Sequence, residues 1–469
     1  MAALVRLPFL GSIGPDEGGY AYVAWQWARG HPLYRGVWVD RPQGLILAYR
    51  VLISIAHSAW AIRLGAVVAG VAITLLLVWV GRLFDAERTG LVAGGLFAVA
   101  GVGPHIEGFT FNGELAAAVP STAAVGVALV AWRRGSARWL AVAGLLGGSS
   151  LLMKQSGFDG LAVAFAVALA AKPRLTRVGL VAAGAAVPIG ASGLSGWLSG
   201  WHAYWSAVIG YQLDASTGGR RLEHFHDSLA AVAGDLLPLA LAALVGLWVL
   251  RRRRLEVRLA LVWLGSALVA VNLGGAYWPH YYVQLLAPLC LLTAVALARI
   301  RVPVLGWATA AVIALPALAF LGAFVQAPDS GRDRIVKYAL GYENDVRVAR
   351  YVRSHSSPDD RVYAFVSRAD FYFLADREAA SRFIWARPLN AIPGAKTALA
   401  RTLAAPRRPR LVVLFQRRPL KRRDRQVGAI VERYYEPVWR STSGTTVLEE
   451  RPPVTGAGPP LADRVAHRG

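Results

Sequence analysis

Ten apolar runs divide this chain, and nothing else in the sequence restricts its fold so strongly. They fall at about 60–82, 89–104, 115–132, 139–153, 156–171, 178–198, 229–250, 258–275, 281–298 and 302–325. Each is close to the length a helix needs to cross roughly 30 Å of hydrocarbon. The chain has 469 residues, of which 55% are hydrophobic and only 17% charged, too apolar for a soluble protein of this length. The sequence therefore predicts a polytopic α-helical membrane protein with about ten spans.

Charge in the connecting segments sets the expected orientation. One set of loops holds Arg82 and Arg88, then Arg133, Arg134 and Arg138, then Lys172, Arg174 and Arg177, then Arg251 to Arg254 with Arg258, and finally Arg299 and Arg301. The alternate set holds little beyond Lys154, Arg220 and Arg221. The positive-inside rule assigns the first set to the cytoplasm. The Asp16 loop, His105 to Glu114, Lys154, the 200–228 loop, Tyr277 to His280 and everything after about 326 then face outward. A formal charge of +23 suits nucleic acid, but basic residues also collect on the cytoplasmic side of membrane proteins, and no nucleic-acid-binding signature accompanies it. A lone cysteine, Cys290, excludes an intramolecular disulfide. Lysine is scarce, at positions 154, 172, 337, 396 and 421 only, so one at the mouth of a span stands out.

Four segments are expected. Residues 1–57 read as an outer loop with an acidic motif and two interfacial helices, an amphipathic one over Tyr20 to Arg29 and a second over Gln43 to His57. Residues 58–326 form the transmembrane bundle. Residues 327–450 form a small extracytoplasmic α/β domain, with a helix at Asn344 to Ser354 and strands at Arg361 to Val366 and Pro409 to Phe415. The Pro/Gly-rich 451–469 reads as a disordered tail. Ten spans and an outer C-terminus put the N-terminus outside as well, so a first span preceding this chain is expected.

The polar candidates collect on the outer side. Adjacent carboxylates Asp16 and Glu17 suit general-base or metal-assisted chemistry, and equally a capped first helical turn. Lys154 ends one span and His280 opens another, among Tyr277, Trp278, Tyr281 and Tyr282; snorkelling and an interfacial aromatic belt are their plainer readings. Glu114 stands at the mouth of a span, where an unpaired carboxylate is costly, with His105 and Glu107 nearby. Asp40 and Arg41 read as a surface pair or as part of the site. Arg220, Arg221, His224 and His226 read as ordinary loop, without the ligand spacing of a zinc site.

These residues also carry a resemblance. Asp16-Glu17 with Tyr20, then Pro32-Leu33-Tyr34-Arg35-Gly36-Val37-Trp38 and Asp40-Arg41-Pro42, resembles the first outer loop of the GT-C glycosyltransferases. The nearest branch is that of bacterial relatives of protein O-mannosyltransferases and the lipid A aminoarabinose transferase. Lys154-Gln155-Ser156-Gly157, His280-Tyr281-Tyr282 with Gln284, and Val348 to Tyr363 are similar to that branch too. The chain departs from it at Gly18-Gly19, where bulkier residues are the rule.

The resemblance implies an inverting transfer of a hexose or pentose from a polyprenyl-phosphate donor to a glycan, lipid or protein acceptor. It places the reaction outside a bacterial plasma membrane. Asp16 is then the base, and Glu17 positions the acceptor. Lys154, His280 and Tyr281 bind the donor phosphate, while Tyr20, Asp40, Arg41 and Glu114 contact substrate. A divalent cation, Mg or Mn, is left open, with Asp16, Glu17 and Glu114 as its candidate ligands. The rival class is a transporter or lipid flippase, hinted at by Asp235 with Pro238 and by Pro188. A membrane scaffold whose outer domain binds envelope polymers is the third.

Overall fold

The computed structural model describes residues 1–215, 221–273, 275–300, 302–336, 341–365, 368–415 and 424–452. Internal contacts divide the chain into a helical unit, Met1–Val346 with Ala369–Leu374, and a sheet unit, Arg347–Arg368 with Ala375–Gly469. The boundary thus lies beyond the expected 326/327. Residues after 326 still pack in the helical unit, where Val336 joins Phe9, Phe109, Phe320 and Phe324 in one buried cluster.

The helical unit runs α1 Pro15–Ala28, α2 Gln43–Ile55, α3 Ala59–Phe84, α4 Glu87–Ala100, α5 Gly113–Arg133, α6 Arg138–Met153, α7 Asp159–Leu169, α8 Arg174–Trp205, α9 Tyr211–Ala215, α10 Arg221–Leu250, α11 Arg254–Leu273, α12 Val283–Leu297 and α13 Pro303–Gln326. Every expected span coincides with a helix. Among the described residues seven helical stretches are long and apolar enough to cross a membrane; α6 and α7 are apolar but shorter. The chain is a polytopic helical membrane protein. In lipid, helices gain little from burying apolar surface and associate through close backbone approach instead. The α6–α8 contact shows this: a Cβ on Gly184 would stand 1.9 Å from the Ala141 carbonyl oxygen, and one on Gly144 2.1 Å from that of Val181. The helix opened by Pro279 is 89% buried along its apolar window and forms the central column, whereas that of α13 is only 22% buried.

Two further expectations need correction. The first helix is not an amphipathic surface helix over Tyr20 to Arg29. It starts at Pro15, whose missing N–H and fixed φ suit a first helical position, and Glu17 to Ala24 are buried on all sides. Only its ends, at Asp16 and from Ala28 onward, are exposed, so it lacks the continuous polar face of a surface helix. The 200–228 segment is not simply loop. Helix α8 continues to Trp205 through a break at Gly200 (φ 109°), a π turn spans Ser206–Gly210, and α10 begins at Arg221. His224 and His226 consequently sit exposed on a helix rather than in a loop. Arg220, the Arg221 side chain, Arg301 and the expected tail from 453 onward lie outside the described residues.

The sheet unit carries a five-stranded mixed sheet in the order β2-β1-β3-β5-β4. Its strands are β1 Arg361–Phe365, β2 Glu378–Ala379, β3 Leu411–Leu414, β4 Tyr435–Arg440 and β5 Thr446–Glu450. Strands β1 and β3 pair in parallel, with Val362 opposite Leu411, and β5 joins β3 antiparallel. Central β1 and β3 are apolar without alternation because both faces are covered. Their core packs Tyr363, Leu399, Leu403, Val412, Val431 and Leu448.

Candidate functional site

The helical unit has two ends, and its charges are sorted between them. At one end the arginine-rich loops meet on Asp85, which follows α3: Arg253 reaches it at 2.9 Å and Arg299 at 2.5 Å. At the other end lie the residues preceding α1, α5 and α12 and the residue following α6. Glu107, Glu114, Lys154 and His280 all fall at this second end.

Two acidic neighbours, Asp16 and Glu17, have opposite fates. Both occupy the first turn of α1, where a carboxylate complements the helix dipole. Asp16 is exposed and lines a small cavity with Tyr20, Arg41, Glu114 and His280. Glu17 is buried, and its oxygens accept from the backbone N–H of Gly14 and of Phe111, each at 2.9 Å, while Arg63 pairs with it at 3.0 Å. Arg63 also donates to the Phe109 carbonyl at 2.8 Å. Glu17 therefore ties the first helix to α3 and to the segment before α5. Glu17→Ala leaves Arg63 and two N–H groups buried without their acceptor. We expect a destabilisation of roughly 3–5 kcal/mol, the range for breaking a buried pair. Thermal unfolding in detergent measures it; a midpoint equal to that of Asp16→Ala would refute the structural role.

The first glycine of the Gly18-Gly19 pair has a packing reason. A Cβ on Gly18 would stand 2.4 Å from Cβ of Asp370, so no larger residue fits there.

Charges of alternating sign line the site. Lys154, the C-cap of α6, pairs with Glu114 in the first turn of α5. The His280 ring lies 3.7 Å from Glu114 and 3.8 Å from Glu107. The Lys154 ammonium sits over the Tyr281 ring, 3.8 Å from its centroid, an additional cation–π contact. Asn112 caps α5 by accepting from Leu115 N–H at 2.8 Å, which fixes the turn that presents Glu114. Glu107 holds a left-handed backbone conformation (φ 57°), which costs a non-glycine residue about 1–2 kcal/mol. Thr110 stabilises that turn with two hydrogen bonds to the Glu107 carbonyl.

Arg41 stands where two cavities meet. It lines the Asp16 cavity and also a larger one of about 210 Å³, shared with Lys154, Gln155, Gln212 and Tyr281. It pairs with Asp40 at 2.6 Å, and Tyr34 donates to its carbonyl at 3.1 Å. Asp40 is held in turn by Gln212 at 2.9 Å on its carboxylate and by Gln155 at 2.8 Å on its carbonyl. Burial works against the Arg41 cation, but Asp40, Tyr20, Tyr281 and Glu114 keep it charged. Burial pushes the Tyr20 phenol well above its ordinary value, so it remains a neutral donor. Burial also pulls the Lys154 ammonium down to about 8, against the opposing pull of Glu114.

The structure brings Asp16, Tyr20, Arg41, Glu114 and His280 to one cavity, and Lys154 and Tyr281 to its neighbour. His105 does not join them. Its backbone N–H and ring bind Asp235 at 3.1 and 3.2 Å. Sequence reasoning missed Arg63 and Gln212. An arginine inside the apolar run 60–82 was the available signal, since a charge there needs a buried partner. Among the described residues no three His, Cys, Asp or Glu side chains converge as metal ligands. Of the three candidate ligands, Glu17 is taken by Arg63 and Glu114 by Lys154, so the donor set does not fit a divalent ion.

No protein-family model matches the chain, and no curated protein does. Solved structures do. The structure of ArnT from Cupriavidus metallidurans bound to undecaprenyl phosphate matches with a TM-score of 0.68 at 16% identity, covering 98% of this chain and 97% of that one. The oligosaccharyltransferase AglB of Archaeoglobus fulgidus in complex with an inhibitory peptide and a dolichol-phosphate matches at 0.52 and 14%, covering 97% and 74%. The same archaeal enzyme in complex with Zn and sulfate matches at 0.54 and 14%, covering 96% and 72%. The likeness in coordinates extends over nearly the whole chain: this chain shares the fold of ArnT and of the archaeal oligosaccharyltransferase.

Proposed function

We propose that the protein is an inverting glycosyltransferase that moves a sugar from a polyprenyl-phosphate donor to an acceptor hydroxyl outside the bacterial plasma membrane. The observation that carries this reading is the pair of cavities joined at Arg41, one holding an exposed carboxylate and the other a lysine. Asp16 takes the acceptor proton as the acceptor oxygen attacks the anomeric carbon. The bond from that carbon to the phosphate oxygen breaks with its electrons on the phosphate. Lys154 and Arg41 neutralise the departing charge, and His280 supplies a further donor. Tyr20 and Asp40 orient Arg41 and the acceptor. Undecaprenyl phosphate and dolichol-phosphate in the similar structures support a polyprenyl carrier here. Glu114 is already paired with the Lys154 ammonium, and no step is routed through a metal.

A transporter wants mobile ionisable groups within its spans. Two buried carboxylates within the spans have fixed partners instead: Asp235 binds His105, and Asp159 accepts from Ser121 and Trp263, each at 2.8 Å. Purified protein with radiolabelled polyprenyl-phosphate sugars tests the assignment. Labelled acceptor supports it, whereas movement of intact labelled lipid across vesicles without transfer favours a flippase.

Orientation has its own test. The native cysteine, Cys290, is fully buried, so introduced thiols report alone. In intact cells an impermeant maleimide is expected to label Asn390→Cys in the sheet unit and to spare Ser136→Cys between α5 and α6. The reverse pattern would invert the topology.

A further inference from the structure

The end of the bundle opposite Asp16 holds a cleft of about 880 Å³ that the transfer reaction does not use. Its volume lies within the roughly 300–1,000 Å³ typical of ligand sites. One wall is basic, with Arg88 from the first turn of α4 and Arg299 just after α12. The other is apolar: Leu297, Pro303, Trp307 and Ala310, mostly along α13. Trp307 is 77% exposed on a helix that turns most of its surface away from protein, so lipid surrounds it.

Charge at the basic wall is unbalanced. Arg253 and Arg299 share a single carboxylate, Asp85. The acidic neighbour of Arg88, Glu87, is paired with Arg82 at 2.9 Å. Arg88 itself is exposed and has no partner among the described residues. Three guanidiniums thus face one carboxylate beside an apolar trough at the end of membrane-spanning helices. A free anion would satisfy the arginines but not the trough, and an apolar chain the reverse.

We propose that this cleft binds a phospholipid with an anionic headgroup, its phosphate against Arg88 and Arg299 and an acyl chain along Trp307 and Ala310. Basic residues at a membrane surface favour anionic lipid by about fivefold each. The site is separate from the donor cavity, and its test does not depend on activity.

Full-length protein is equilibrated in mixed micelles with equal amounts of phosphatidylglycerol and phosphatidylcholine, and retained lipid is read by native mass spectrometry. One phosphatidylglycerol is expected to be retained in preference, and Arg88→Gln to reduce that preference about fivefold. Gly306→Leu keeps every charge but fills the trough; its added Cβ meets only Ile300 at 3.8 Å, so folding is unaffected and retention should fall. Arg134→Gln, an exposed arginine at the same end just after α5, should change nothing. Equal retention of the two lipids, an unaltered preference in Arg88→Gln, or an equal loss in Arg134→Gln would each overturn the site.

Discussion

Asp16→Asn is expected to lower the rate of sugar transfer by roughly two to four powers of ten, the usual worth of general-base assistance. The amide matches the carboxylate in shape, so acceptor and donor still fit; only the ability to take a proton is lost. Stability should barely change. Asp16 is exposed at the second position of α1, and removing one first-turn charge costs about 0.3–1 kcal/mol. Single-turnover transfer, with protein matched by unfolding midpoint, separates rate from folding. The contrast with Glu17 is informative, because that neighbour borders the same cavity but is held by Arg63 and two backbone N–H groups. Near-wild-type transfer by folded Asp16→Asn would remove Asp16 from the role of base.

How much of this was legible in the sequence depended on the kind of signal. The spans were readable because apolar length and arginine asymmetry are properties of single segments. The small sheet was readable from Arg361 to Val366 and Pro409 to Phe415, though not its order, which needs long-range pairing. Candidate polar residues were readable because nearly every one lies on one side of the arginine pattern. What failed was anything decided by packing. Nothing local distinguishes Asp16 from Glu17; their roles diverge because the helix turns one outward and the other toward Arg63. Helix α1 reads as a surface helix only until its neighbours are known, and Gly18 becomes intelligible only when Asp370 arrives from 352 residues further along. Glu107, a weak candidate by position, is marked by its left-handed backbone beside His280.

Lys154 is the position where a single change should abolish donor binding. A polyprenyl phosphate approaches along the membrane, so its phosphate meets the mouths of the spans, where Lys154 and His280 lie. The lysine side chain is buried against Glu114 and Tyr281, which orients its ammonium toward the cavity shared with Arg41. Lys154→Met should therefore remove nearly all affinity, Lys154→Arg only part, since a planar fork replaces a compact charge. His280→Ala should be milder. Removing Lys154 alone leaves Glu114 buried with less compensation, a cost of about 3–5 kcal/mol that could mimic a binding defect. The paired variant Lys154→Met with Glu114→Gln restores neutrality; it should fold and still fail to bind. The pH dependence supplies a second readout. The glycosylated donor is a phosphodiester that keeps its single charge across this range, and the unglycosylated competitor, a monoester, is fully ionised above its second pKa of about 6. The ammonium, lowered to about 8 by burial, is charged below that value and loses its proton as pH rises through it. Donor affinity should accordingly fall above pH 8 in wild type and stay level in Lys154→Arg, whose guanidinium remains charged. Competition by unglycosylated polyprenyl phosphate against labelled donor measures each case. If Lys154→Met leaves that inhibition constant unchanged, the lysine is an interfacial anchor and the phosphate binds elsewhere.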